Sequence, residues 1–151
     1  MTIDFKLQTV TAAIAALNIG DITVKDIDAI PDSARLLCPL IIPNPNNFLT
    51  SITFTRASMG GAGSALMDSS YVLNYIYLHC EARSGIDNYA SYNGLMTNLS
   101  LILEAIFGND DINGAVDMVL DGVDRVDYIK DPAGIEYLGV MFRLKITEFV
   151  Q

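Results

Sequence analysis

Hydrophobic and polar positions change rhythm several times along the chain, and each change predicts an element. Leu7, Val10, Ile14 and Leu17 recur at helical spacing among Ala, Thr and Gln, which predicts a helix over residues 4–17 with Gly20 as its stop. Ile22, Val24 and Ile27 then alternate loosely up to the turn signal Ile30-Pro31-Asp32-Ser33. The unbroken apolar run 36–42 reads as a strand covered on both faces. Pro43-Asn44-Pro45-Asn46-Asn47 ends it, because proline cannot donate to a ladder and asparagine favours turns. Residues 51–57, rich in Thr, Ile and Phe, predict the next strand.

The strongest strand pattern covers residues 71–80. Tyr71, Leu73, Tyr75, Tyr77 and His79 fall on one face, and Val72, Asn74, Ile76, Leu78 and Cys80 on the other. Both faces are mostly apolar, which places this strand centrally in a sheet. The stretch before it, 58–70, holds three glycines and four serines and predicts a flexible loop, with Met59 and Met67 as adaptable contacts. A second helix is predicted over 89–107. Leu95, Leu99, Ile102, Leu103 and Ile106 form its stripe, Asp87, Asn88 or Ser91 its cap, and Gly108 its end.

After a polar turn at 109–114, residues 115–120 and 123–129 read as short strands or irregular segments studded with aspartate. Residues 131–134 turn the chain into a closing strand, 137–149. There Leu138, Val140, Phe142, Leu144 and Ile146 alternate with Gly139, Met141, Arg143, Lys145 and Thr147. The order of elements predicts one α+β domain over 1–151. Its sheet is antiparallel or mixed, flanked by two main helices, with a long C-terminal strand.

Composition adds two constraints. Apolar residues make up 51% and charged residues only 18%, an apolar balance that favours surface buried between subunits. Eighteen acidic against nine basic residues give a net charge of -9, which disfavours gripping the nucleic-acid backbone and suits a surface that DNA passes without sticking. No apolar run approaches the roughly 18 residues of a membrane span. The first residues, Met1-Thr2-Ile3-Asp4-Phe5-Lys6, lack the basic region and apolar block of a signal peptide, so the expectation is synthesis in the cytoplasm. Cys38 and Cys80 are expected to be buried free thiols.

Candidate chemistry is sparse. Gly60-Gly61-Ala62-Gly63-Ser64 lacks the Lys-Ser/Thr ending of a phosphate loop and leads into a strand rather than a helix. The stretch 109–114 resembles half of a calcium loop, but position one is Asn109 and position twelve is Leu120, where a glutamate is needed. His79 is the single histidine, and the alternation puts Cys80 on the opposite face, so neither a metal site nor a nucleophile–base pair is expected. The expectation is no catalytic residue, no metal and no cofactor. Tyr71, Tyr75 and Tyr77, each with an apolar body and polar tip, are candidates for a subunit interface or for the core. Met141, Arg143 and Lys145 share the outer face of the closing strand and are candidates for a charged seam between subunits.

In size, element order and texture the chain resembles the tail-terminator and tail-completion proteins of tailed bacteriophages, typified by the lambda-type tail terminator. The resemblance runs through the first helix, the turn Ile42-Pro43-Asn44-Pro45, the strand pair split by 58–70, the second helix and the closing strand. The proline-punctuated Leu37-Cys38-Pro39-Leu40-Ile41-Ile42-Pro43 is similar to the first strand of such proteins. The resemblance implies a non-enzymatic virion protein, made in the host cytoplasm and located in the tail or neck. It implies a homo-oligomeric ring, usually a hexamer, which caps the tail tube and meets the head connector or stopper protein around a DNA channel. Met59, Gly60, Gly61, Gly63, Leu66 and Met67 would then form an assembly loop facing the tube or the lumen. The alternatives are a head-completion or stopper protein of the neck, or a small ligand-binding or enzymatic α+β domain with 58–70 as its lid.

Overall fold

A computed structural model describes residues 6–58, 65–82, 86–109 and 116–150. The elements are α1 (Leu7–Ala15), β1 (Thr23–Val24), a 3-10 turn (Ile27–Ala29), β2 (Leu40–Pro43) and β3 (Leu49–Ser58). They continue with β4 (Ala65–Glu81), α2 (Ile86–Phe107), β5 (Val116–Lys130) and β6 (Glu136–Val150). The six strands form one sheet in the order β1-β2-β4-β6-β5, with β3 also on β4. Every pairing is antiparallel except β1 with β2. The fold is therefore α+β, with a mostly antiparallel, mixed sheet, two helices and a long closing strand.

β4 organises the sheet. One edge pairs with β6 from Met67 to Glu81. The other edge is shared, β3 taking the first half and β2 the stretch Tyr75–Leu78. The double apolar pattern of β4 follows from this central place. Its odd positions Tyr71, Leu73, Tyr75 and Tyr77 face both helices, together with Leu138, Val140, Phe142, Leu144 and Ile146 of β6. The helices meet them with Val10 and Ile14 of α1 and Leu95, Ile102 and Ile106 of α2, at the spacing that keeps one helical face inward. A smaller cluster on the opposite face joins Ile76, Leu78, Ile42 and Tyr137 to the chain segment around Ala34 and Cys38.

Several boundaries differ from the sequence expectation. The run 36–42 supplies a strand only from Leu40, the first residue past Pro39 that can donate to a ladder. Leu36 is 97% exposed, with φ +67°, in a turn closed by the Leu37 amide on the Ala34 carbonyl. The described residues of the segment 58–70 are strand: β3 runs to Ser58 and β4 starts at Ala65, with those two residues paired. Polar residues hid this extension because no apolar alternation marks it. The two aspartate-studded segments after α2 are one strand, β5, and its aspartates lie near register shifts between Leu120 and Gly122 and between Val123 and Arg125. An edge strand tolerates such charges because its outer side meets solvent. α2 begins at Ile86, so Asp87, Asn88 and Ser91 lie within it rather than before it.

Candidate assembly edges and buried polar groups

The three candidate interface tyrosines lie inside the subunit. Tyr71, Tyr75 and Tyr77 are 2%, 1% and 0% exposed, held under the helices by the odd-position face of β4. Tyr75 stacks on Phe142 at a centroid distance of 5.9 Å and meets Phe48 edge-on at 5.6 Å. Burial, followed by the charge of Asp26, pushes its phenol above the usual value. Tyr71 is pushed up by burial and then by its hydrogen bond to Glu148. Packing in the core, the other reading open to these residues, is the one their burial fits.

The outer-face trio divides. Met141 is half-buried against the smaller cluster. Arg143 reaches across Gly122, where a Cβ would stand 2.7 Å from its Nη2, and its Nε lies 3.1 Å from Asp124 Oδ1 as an ion pair. That cation is therefore already matched within its own subunit. Lys145 points to solvent. Of the assembly loop, Leu66 and Met67 belong to β4, opposite Ala57 and Arg56. Met59, Gly60, Gly61 and Gly63 lie outside the described residues.

His79 and Cys80 share one side rather than opposite sides. A register shift between Leu78 and Cys80 inserts an extra residue in β4, so Cys80 faces Leu138 and packs toward the helix-side core. Gly139 permits the close approach, since a Cβ there would collide with the Tyr77 carbonyl oxygen. His79 lies under α2 at Gly94, where a Cβ would be 3.0 Å from its Nε2. Asn98 Nδ2 donates to Tyr77 Oη at 2.7 Å, and Tyr77 Oη shares a 2.6 Å hydrogen bond with His79 Nδ1. Burial pushes the Tyr77 phenol up to about 12 against the opposing pull of the Asn98 bond, and burial holds His79 below its usual value. The chain of bonds pins α2 to the sheet.

Two buried carboxylates serve as clamps. Asp131, 5% exposed, accepts hydrogen bonds from the Ala34 amide (2.8 Å), the Ile135 amide (2.9 Å), Ser33 Oγ (3.2 Å) and Tyr137 Oη (3.2 Å). Burial alone would raise its pKa; the four donors outweigh it and hold the carboxyl below the ordinary value. Burial, then the Asp131 charge, pushes the Tyr137 phenol up to about 12. Glu148, 1% exposed, accepts from the Lys6 amide at the entrance to α1 and from Tyr71. Cys38 and Cys80 are free and half-buried; burial, then the neighbouring Cys80, pushes the Cys38 thiol up to about 12, which makes it a poor nucleophile. Among the described residues, no group of three or more His, Cys, Asp and Glu side chains converges as a metal site, and no helix is long and apolar enough to cross a membrane.

Two stretches of exposed apolar surface lie at sheet margins. β3, paired only with β4 among the described residues, exposes Leu49 (40%), Ile52 (49%) and Phe54 (54%). β5, paired only with β6, exposes Val119 (48%), Val123 (40%) and Val126 (41%). The β5 edge escaped the sequence reading because its aspartates broke the alternation; the β3 edge escaped because exposure of a strand is a property of its neighbours. Compared with known proteins, the chain matches no protein-family model and no curated protein.

Proposed function

We propose that this chain is a structural subunit of a homo-oligomeric ring of the tail-terminator kind. The ring would end the tail tube of a tailed bacteriophage and meet the head connector or stopper around a DNA channel. The observation that carries the reading is the pair of unlike open edges, β3 and β5, on opposite margins of one sheet. A surface that is not self-complementary associates head to tail, and such contacts close into a ring when the rotation between copies divides a full turn. Closure also removes exposed strand edges, which otherwise template aggregation. The element order and the net charge of -9 support the same reading. Negative-stain images and native mass spectrometry of the purified protein, alone and with tail tubes, test it. Rings, six subunits in the leading case, are expected; monomers under both conditions would sink it.

One observation favours a ligand-binding reading. A cleft of about 330 Å³ lies on the second face, where Asn44, Asn46, Lys130 and Glu136 surround Ile76 and Met141, large enough for a small polar molecule. Ala65, where β4 begins, lies about 36 Å along β4 from Ile76 at roughly 3.3 Å per residue. Saturable binding of a small polar molecule, lost in Asn46→Ala, would favour this reading over the ring.

A further inference from the structure

We infer that neighbouring copies join by adding β5 of one copy to β3 of the next, with Phe107 of the first seated in an apolar cavity beside that β3. The inference deepens the ring reading and rests on it.

Knob and hole have matching size. The cavity, about 140 Å³ and apolar throughout, is lined by Leu7, Leu49, Ile52 and Tyr71. An apolar cavity of about 150 Å³ holds a benzene ring. Phe107, the last residue of α2, is 68% exposed. Among the described residues no large apolar side chain except Leu36 is more exposed.

Knob and hole also sit at the same height on opposite margins. Reading across the sheet, Phe54 pairs with Ser69, Ser69 with Glu148, and Glu148 with Val116. A few rows away, Leu49, Leu73, Leu144 and Leu120 align in the same way. The cavity-lining part of β3 therefore shares its rows with the start of β5. α2 approaches β5, and near its end Ile106 lines a small cavity with Phe142 and Leu144, the latter in the row of Leu49 and Leu120. Strand sense fits too. β3, β4, β6 and β5 alternate in direction, so β5 runs opposite to β3. Copies related by rotation about an axis along the strands bring β5 antiparallel to the next β3 at the same level.

Charge selects this pairing over its rivals. β5 carries Asp117, Asp121, Asp124 and Asp127 against Arg125 and Lys130, and this acidic excess disfavours a second β5, whereas Leu49 to Thr55 of β3 carry no charge. β3 against β3 would leave both Phe107 side chains in water.

Mixing tests the inference. Ile52→Cys and Phe107→Cys proteins, treated with a short bis-maleimide, should give cross-linked dimers when mixed and none separately; the parent, which keeps Cys38 and Cys80, is the control. Phe107→Ala should weaken association tenfold or more with Tm unchanged, because the side chain is exposed in the single copy. Cross-linking of Ile52→Cys alone would mean β3 meets β3 and would overturn the inference. Rings that form equally well with Phe107→Ala would overturn it while leaving the ring reading standing. A parent that stays monomeric with tail tubes present removes both.

Discussion

Tyr71 Oη donates a 2.6 Å hydrogen bond to Glu148 Oε2, while Oε1 of the same carboxylate accepts the Lys6 amide at 2.7 Å. One glutamate on the last strand thus ties a central-strand tyrosine to the entrance of the first helix, where the positive end of the helix dipole favours an anion. Tyr71→Phe leaves one oxygen of a 1%-exposed carboxylate without its donor and should cost about 1–3 kcal/mol in urea denaturation. An unchanged midpoint would mean the bond contributes nothing net.

Asp131 sets the acid limb. Its carboxyl is held below the usual 3.8, so the charged form is favoured by folding. The contribution is fully present above that value and is lost as pH falls through the lower folded-state value. Asp131→Asn should lower stability at neutral pH by about 2 kcal/mol, since buried donors lose a charged acceptor, and should flatten the slope below pH 4. Denaturation midpoints across pH 2–7 read both effects, and parallel curves for the two proteins would refute the assignment.

His79 works in a higher window. Burial lowers its pKa, so folding favours the neutral ring; stability is full above the ordinary 6.5 and declines as pH falls below it. Protonation puts a hydrogen on both ring nitrogens, so Nδ1 can then only donate to Tyr77. Because the chain has one histidine, its imidazole resonance is unambiguous, and an NMR titration should give a midpoint under 6.5. A midpoint at or above 6.5 would contradict the buried bonding scheme.

Gly139→Ala should be the most damaging small substitution, because the new methyl meets the Tyr77 carbonyl oxygen beside the register shift of the β4–β6 ladder. Backbone cannot step aside as a side-chain tip can. A loss of about 3 kcal/mol, at the upper end for overpacking, is expected in thermal or urea unfolding. Gly134→Ala gives the contrast: nothing lies within 4 Å of its Cβ, and its cost is the strain of φ +84° alone.

Replacing residues 59–64 with a two-residue turn should leave Tm within a few degrees. Removing 59–67 should cost more, since Ala65, Leu66 and Met67 pair with Ser58, Ala57 and Arg56. Equal stability for the two deletions would mean that the end of this hairpin adds nothing to the fold.

The core was legible in the sequence wherever burial imposes a period. Leu138 to Ile146 on β6, Tyr71 to Tyr77 on β4 and Leu95 to Ile106 on α2 all lie where alternation or helical spacing put them. Elements under weaker pressure were not legible. Ala65 to Ser70 extend a strand without an apolar rhythm, and Asp121 and Asp124 masked the continuity of an edge strand that solvent relieves of any need to alternate. The candidate edges were invisible because openness depends on which strands lie alongside. Tyrosine composition misled for a related reason: the same side chain suits a rim or a core, and only the sheet order decides.

The pairing of β4 with β6 has a kinetic consequence. Tyr71 meets Ile146 and Tyr77 meets Val140, partners separated by most of the second half of the chain. Closing so large a loop is entropically costly before any contact rewards it, which makes folding slow. While the ribosome is still making residues 82–135, β4 exists with two apolar faces and without its long neighbour β6, and until Phe107 is added without a complete α2 as well. A nascent chain in that state is prone to aggregate. β6 is therefore the strand that ends this exposure, and a chain cut before Glu136 should accumulate as aggregate rather than as a shortened domain.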